Sequence, residues 1–260
     1  MTFPARGSFV KLGKGSLLLD LLDDNGQPEG LEFLGNANSI SISAEVTDVE
    51  LFSSTEKSGA LIDRAVLRTA YSLSVSLNEF TLNNLKLFLK GEDNVVQQAA
   101  QSQESVTITG AKVGKYYETG FRRITSVVVN QGSLGPFVEG TDYEVNSEFG
   151  IIRILPGGTI TDDDDLTVAF EAPAVQINQV RIARKASSVG RLLYLADDAN
   201  NSGAAAKDRL EVWKVDVAPD GELNFVGDDY GAFSLSLAVL SDAENHPNDP
   251  YGTLDRIGTQ

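Results

Sequence analysis

The residues with the most reactive chemistry are few. The chain has one histidine and no cysteine among its 260 residues. His246 stands in "LAVLSDAENHPNDPYG" (Leu237 to Gly252), flanked by Asp242, Glu244 and Asp249. A histidine backed by a carboxylate could activate a serine, provided the nucleophile is sharply presented within hydrogen-bonding reach. No G-x-S-x-G elbow accompanies it. A zinc site around a single imidazole would need mostly carboxylates, an unusual donor set. His246 therefore reads as a loop residue between Asn245 and Pro247.

The other chemical signals are weaker. Asp162 to Asp165 form an acidic run, but without the D-x-[DN]-x-[DN]-G order or the downstream glutamate of a calcium loop. Adjacent carboxylates in a strand alternate sides and cannot all turn to one ion. A solvated turn is the simpler reading. Gly13-Lys14-Gly15 in "KLGKGS" resembles part of a phosphate loop, yet strand-like leucines follow where a helix should begin. Carboxylate pairs for glycoside hydrolysis are recognised only by their separation in space. No aromatic-and-basic cluster suggests a base-stacking surface. The sequence assigns no catalytic, cofactor-binding or metal-binding residue.

The elements that would position any site are mostly strands. "NSISISAEV" (Asn38 to Val46), "AYSLSVSLNEF" (Ala70 to Phe80) and "FSLSLAVL" (Phe233 to Leu240) alternate with period two. Each sets apolar residues against serines, giving one packed and one open face. Asp24-Asn25-Gly26 predicts a hairpin between "SLLLDLL" and "LEFLGN". Pro219-Asp220-Gly221 predicts another between "LEVWKVDV" and "ELNFVG". The clearest helix is "FTLNNLKLFLKG", capped by Thr81 and ended by Gly91, with Leu82, Leu85 and Phe88/Leu89 on one face. "DNVVQQAAQSQES" reads as a weaker helix or a surface loop, and Ala204 to Lys207 as a turn of helix. Between Val113 and Pro173, "ITSVVVN", "DYEVN", "IIRIL" and "LTVAF" are short strands separated by Gly-rich or acidic turns. The expected organisation is a β-domain split over 1–112 and 173–260. Residues 113–172 form either an inserted β-rich subdomain or an elaboration of one sheet.

Composition narrows the function classes. A hydrophobic content of 42% suffices for a buried core. The formal charge of −16 argues against a nucleic-acid grip, whose affinity comes from Lys and Arg. The leucine cluster after Lys14 is broken by Asp20 and too short to span a membrane. Absent cysteine is compatible with a reducing cytoplasm. The serine faces need a reason, because Thr, Lys and Glu are more usual on an exposed sheet face. They are either an ordinary solvated surface, or a face kept wet, slender and nearly neutral because something slides past it.

Taken in order, these segments resemble the major tail protein, the tail tube subunit of long-tailed, siphovirus-like bacteriophages. The resemblance runs through "GLEFLGNANSISISAEVTDVELFSSTEKSG", "TAYSLSVSLNEFTLNNLKLFLKG" and "EGTDYEVNSEFGIIRILPGG". It ends in "VWKVDVAPDGELNFVGDDYGAFSLSLAVLSDAENHPNDPYGTLDRIG". It implies a mainly β subunit, a β-sandwich or partial barrel with one short flanking helix and a small β insert. Six subunits would form a ring, and stacked rings the tube through which DNA leaves the capsid. Implied partners are further copies of the chain and the tape measure, tail terminator and distal tail proteins. Double-stranded DNA would pass without specific binding, no cofactor or membrane would be involved, and the protein would reside in the virion after assembly in the host cytoplasm. On this reading Ser41, Ser43, Ser72, Ser74, Ser76, Ser234 and Ser236 face the lumen. Thr47 to Arg64 would be a long polar loop between rings, contributing Glu50, Ser53, Ser54, Glu56, Lys57, Asp63 and Arg64. The alternatives are an acidic calcium-binding β-sandwich of a fibre or cell-surface adhesin, using Asp162 to Asp165, and a two-carboxylate β-sandwich hydrolase.

Overall fold

A computed structural model describes residues 13–23, 25–55, 57–198 and 207–257. The chain runs β1 (Gly13–Leu22), β2 (Pro28–Phe33), β3 (Ala37–Phe52), β4 (Leu61–Leu77) and helix α1 (Leu82–Phe88). It continues through β5 (Glu92–Gln98), β6 (Gln101–Ala111), β7 (Tyr116–Glu118), β8 (Thr125–Asn130), β9 (Tyr143–Asn146) and β10 (Ile151–Ile154). The remaining strands are β11 (Asp164–Ala172), β12 (Val175–Arg181), β13 (Val189–Asp198), β14 (Lys207–Asp220), β15 (Phe233–Val239) and β16 (Gly252–Ile257). The protein is mainly β, as the period-two segments require. It divides into two compact units, 1–93 with 180–260, and 94–179.

The first unit is one antiparallel sheet in the order β2-β1-β13-β14-β15-β4-β3. β14 serves two partners along one edge: residues 207–212 pair β16, and 215–220 pair β15. The sheet curves about a single core, because Leu17 and Leu19 of β1 share a cluster with Leu73, Val75 and Leu77 of β4. Leu192, Val215, Val217, Leu235 and Leu237 complete its centre. Each aliphatic side chain so buried contributes roughly 1.5–3 kcal/mol, so the alternating leucines and valines determine which face turns inward. The opposite face of the β1-β13-β14 region carries buried Asp20 and Glu211, both paired to Arg191, with Arg209 also on Glu211.

Helix α1 begins at Thr81, whose Oγ1 accepts the Asn84 N–H at 3.2 Å, as an N-cap should. Its buried residues are Asn84 and Leu87, not the expected Leu82–Leu85–Phe88/Leu89 stripe. The reason is a polar anchor: Asn84 Nδ2 donates to the carbonyls of Leu34 and Glu79, each at 2.9 Å. Counting apolar residues alone cannot reveal such an anchor.

The second unit packs a β6-β11-β8 sheet and a β7-β10-β9 sheet around Ile124, Val129, Ile152, Ile154, Leu166, Val168 and Phe170. It is a small β-sandwich-like body and is larger than the expected 113–172 insert. β6 pairs along β11, with Thr107 opposite Thr167 and Val106 opposite Val168, so residues before 113 belong with the insert. "DNVVQQAAQSQES" is accordingly strand (β5 and the start of β6), neither helix nor loop. Its glutamines pair across the β5–β12 ribbon, as Asn94 does with Gln179 at 2.9 Å. Within "EGTDYEVNSEFGIIRILPGG", Gly150 ends the β9–β10 hairpin at φ +64°, and a Cβ there would lie 1.9 Å from the Phe121 carbonyl oxygen. Only glycine fits that crossing.

Of the two expected hairpins, one forms. The Asn25-Gly26 hairpin forms, joining β1 to β2, although Asp24 lies outside the described residues. "ELNFVG" is not a strand: β14 ends at Asp220, and the chain stays irregular until Phe233. Phe225 and Val226 in that segment have no facing strand to pair with. Ala204 to Ala206, placed in a helical turn from sequence, lie outside the described residues, and Lys207 begins β14.

Candidate functional site

The three serine-bearing strands are neighbours, and their registers bring the hydroxyls into rows. Ser236 lies opposite Ser74, which lies opposite Ser41. Ser234 faces Ser76, and Ser76 faces Ser39. Ala238, Ser72 and Ser43 make the third row, with Ser43 Oγ 2.8 Å from Ser72 Oγ. Directly opposed residues of antiparallel strands project to the same face, so all seven predicted lumen serines share one surface. Ser39 joins them; it belongs to the same alternation and was left out of the predicted set. β14 extends all three rows, with Ala218 opposite Ser236, Asp220 opposite Ser234 and Asp216 opposite Ala238. Behind the rows, Leu73, Val75, Leu77, Leu235 and Leu237 are at most 1% exposed. The patch is thus a small-hydroxyl face on a rigid apolar backing.

Beyond Ser43 and Ser72, β3 and β4 continue as a hairpin arm, where a long polar loop was expected. Glu45 faces Ala70 and Thr47 faces Arg68, with Arg68 Nε 3.2 Å from Thr47 Oγ1. A bulge follows at Thr47/Asp48, and pairing resumes to Phe52 opposite Leu61. Glu50, Asp63 and Arg64 are therefore strand residues. Arg64 is ion-paired with Asp48 and approaches Glu50 at 4.0 Å. Ser53, Ser54 and Lys57 lie in the short turn closed by the Ser53 N–H donating to the Ala60 carbonyl at 2.8 Å; Glu56 is outside the described residues. The arm is built by Val49, Leu51, Phe52, Leu61, Ile62, Val66 and Leu67, β-formers spaced among the charges. All seven are exposed. β3 is also a terminal strand of the sheet, so its outer edge has no strand partner among the described residues.

The chemical candidates occupy other places. His246 stacks on Trp213, with centroids 4.0 Å apart and planes within 2°, and its Nδ1 lies 2.9 Å from Asp242 Oδ2. Trp213 Nε1 donates to the Asp249 carbonyl at 2.8 Å. The histidine thus fastens the 242–251 segment to β14. The His246 hydrogen bond, supported by one from Asn245, holds the Asp242 carboxyl below its ordinary pKa against the opposing effect of burial.

Asp162 to Asp165 each turn to a different donor. Asp162 accepts the Val113 N–H at 2.8 Å, and Asp163 pairs with Lys112 at 3.0 Å. Asp164 accepts the Thr161 N–H at 2.7 Å, and Asp165 accepts the Gly110 N–H at 2.9 Å. The run is a turn that knots β6 to β11. Gly13-Lys14-Gly15 lies in β1, where a Cβ on Gly15 would meet the Leu195 carbonyl oxygen at 2.2 Å. Strand packing, not phosphate binding, accounts for that glycine.

Fold and surface together define a mainly β protein of two antiparallel units, one of which presents an aligned serine face and a projecting apolar hairpin. The family model described as "Protein of unknown function UCP028589" matches residues 10–257, and the chain belongs to that family. No curated protein matches it. Among the described residues no helix is long and apolar enough to cross a membrane.

Proposed function

We propose that the chain is a structural virion protein, the tail tube subunit of a long-tailed bacteriophage. Its copies form rings of six, and the rings stack into a conduit for DNA. The observation that carries this reading is the register of the serines: the β3–β4 hairpin and β15, distant from it in sequence, present hydroxyls in continuous rows over an apolar core. A DNA conduit needs a wall that is wet and offers phosphates no cations to hold, because Lys and Arg contacts would release counterions and bind. Serine meets that need with the least bulk.

Two further features support self-assembly. A sheet edge 16 residues long, lined by exposed apolar side chains, is a template for strand pairing, and joining sheets into a closed barrel removes such edges. The apolar arm offers each subunit a means of reaching beyond its own body. In this reading Ser41, Ser43, Ser72, Ser74, Ser76, Ser234 and Ser236 line the channel, and the arm with Glu50, Asp63 and Arg64 contacts the adjoining ring. Its partners are other copies of itself and the tape measure, terminator and distal tail proteins. Negative-stain imaging of concentrated purified protein tests the proposal. Rings with a central hole, or tubes of stacked rings, are expected without added cofactor. A protein that stays monomeric at every concentration, alone and with tail initiation proteins, would refute it.

A further inference from the structure

The sheet of the first unit forks. β15 pairs with β14 as far as Val215, and β16 takes up the same edge of β14 from Val212 to Lys207, running in the direction of β15. β16 therefore continues the line of β15. On the far side of β15, β4 pairs with it only from Ser72 to Leu77, whereas residues 61–71 pair with β3 alone. Tyr71 and Tyr251 meet at the head of the fork, with ring centroids 5.8 Å apart. Below them, β16 and the 61–71 stretch of β4 each present an edge with no strand partner among the described residues. Leu67, Leu254 and Ile257 on these two prongs are 64–65% exposed. The 242–251 segment is committed elsewhere. It closes on itself through the Asp242 N–H and the Pro250 carbonyl at 2.8 Å, and is held to β14 by His246 on Trp213.

Strand edges without partners are a template for strand addition, and two edges that flank one opening take a segment unpaired on both sides. "ELNFVG" (Glu222 to Gly227) has that character. Leu223 and Phe225 alternate, Val226 follows, and Gly221 and Gly227 bound the run, yet no strand forms. Phe225 is 75% and Val226 94% exposed, while Leu223 rests against the core. A local preference that the subunit leaves unmet marks a place of function. The segment cannot meet it in its own fork. The 221–232 connection leaves the sheet where Phe233 faces Leu77, whereas the fork opens towards Leu61, at the other end of β4. Leu254 faces Leu210, which lies roughly 30 Å along β14 from Asp220 at about 3.3 Å per residue. Phe225 reaches at most about 18 Å from Asp220 in a fully extended chain.

We infer that the Glu222–Gly227 segment of one copy straightens into a strand between β16 and the 61–71 stretch of β4 in the next copy. Its N–H and C=O groups would pair with both prongs, and Phe225 and Val226, on opposite faces of the inserted strand, would cover their apolar side chains. The occupant is a second copy because the chain itself supplies a strand-forming segment as long as the six-residue β16 and holds it beyond reach of its own fork. Charge does not drive the contact. Asp255 pairs with Arg209 and Arg256 with Asp208, so the rim of β16 is already neutralised, and Asp228 and Asp229 follow Gly227 outside the inserted run. Segment and fork are different patches, so the contact is head-to-tail and repeats along the strand direction. One such contact is small for a specific interface; stacked rings repeat it in every subunit, and the repeats act together. The inference deepens the self-assembly reading above and rests on it.

The test uses the full chain. Val226→Pro removes a backbone N–H and is not tolerated inside a paired strand, yet residue 226 belongs to no strand of its own subunit. The variant should keep the wild-type circular dichroism and melting temperature. It should need about tenfold or more protein for half-assembly in sedimentation. The absence of cysteine allows a second, direct measurement. Copies carrying Asn224→Cys are mixed with copies carrying Leu254→Cys or Leu67→Cys, assembled, and treated with a short bis-maleimide. Joined pairs are expected from both mixtures, and none with Leu31→Cys, which lies on the opposite edge strand of the sheet. Normal assembly by Val226→Pro would overturn the insertion and leave the tube reading intact. So would assembled copies that join only through Leu31→Cys, or not at all. Joined pairs at both prongs in particles without rings or tubes would uphold the insertion and overturn the tube reading. A wild-type chain that never associates would overturn both.

Discussion

Asp142 is 4% exposed and keeps its charge because the surrounding backbone solvates it. Its Oδ1 accepts the Thr159 N–H at 2.6 Å and the Thr159 hydroxyl at 2.9 Å, and its Oδ2 accepts the Val138 N–H at 2.8 Å. The Thr159 N–H, then that of Val138, hold the carboxyl below its ordinary pKa against the opposing pull of burial. This explains why "GTDYEV" carries an aspartate: it ties two loops of the insert together, and the adjacent Tyr143 is buried. The unfolded chain takes up the proton first, near pH 3.9. The stabilisation is therefore complete above that value and is lost as pH falls through the lower folded value. Asp142→Ala should destabilise the insert by about 1–3 kcal/mol at pH 7, because it orphans two backbone donors. Asp142→Asn should melt below wild type at pH 7, and the gap should narrow by pH 3. Thermal unfolding followed by circular dichroism across that range checks both, and a gap that is constant with pH would contradict the charge assignment. A scan for catalytic motifs has no means of finding this residue, because its principal partner is 17 positions away and its task is structural.

At the scale of elements, parity along β4 makes the sharpest prediction. Val75 is fully buried and Ser74 exposed, one residue apart. Val75→Asp loses roughly 1.5–3 kcal/mol of apolar burial and adds several more for an unpaired buried charge. Set against a typical stability of about 5–15 kcal/mol, that should abolish soluble folded protein. Ser74→Asp should leave circular dichroism and melting temperature near wild type. Equal tolerance of both changes would disprove the assignment of faces. These strands were legible in sequence because every second residue is apolar and the intervening ones are serine. The arm was not. Charged residues between Val46 and Val66 gave it the average polarity of a loop, although its apolar residues still suit a strand. β5 and β6 were obscured because Gln, Ser and Glu outnumber apolar residues there, and only pairing with β12 and β11 makes them strands. For the arm itself, only the turn from Ser53 to Ala60 is free of strand pairing. Trypsin should cut the free subunit after Lys57 before Arg64 or Arg68, and assembled tubes should resist; equal cleavage in both forms would exclude the arm from the inter-ring contact.

For the whole molecule, function in the proposed tube depends on what the wall does to DNA. The chain carries a formal charge of −16, so a ring of such subunits is strongly acidic, although screening limits repulsion to about 8–10 Å at ordinary ionic strength. Within that distance of the wall, the serine rows decide whether phosphate is held or released. Ser74 is at the centre of those rows, between Ser236 and Ser41, with its side chain exposed. Ser74→Arg should fold normally, because the added guanidinium extends into water from a strand whose packed residues are unchanged. In a ring it would set a circle of cations facing the passing duplex. Each phosphate that it neutralises releases counterions, so adhesion is strongest at low salt and weakens steeply as salt rises. Phage bearing Ser74→Arg should therefore build tails of normal length and appearance, yet release DNA slowly or incompletely at low ionic strength. Raising the salt should restore release towards the wild-type rate, whereas Ser74→Thr, which keeps the hydroxyl and adds no charge, should behave as wild type throughout. DNA release from purified particles across a salt series measures this directly. Wild-type release by well-formed Ser74→Arg tails at every salt concentration would put the serine face outside the channel and remove the physical ground for reading it as the lumen.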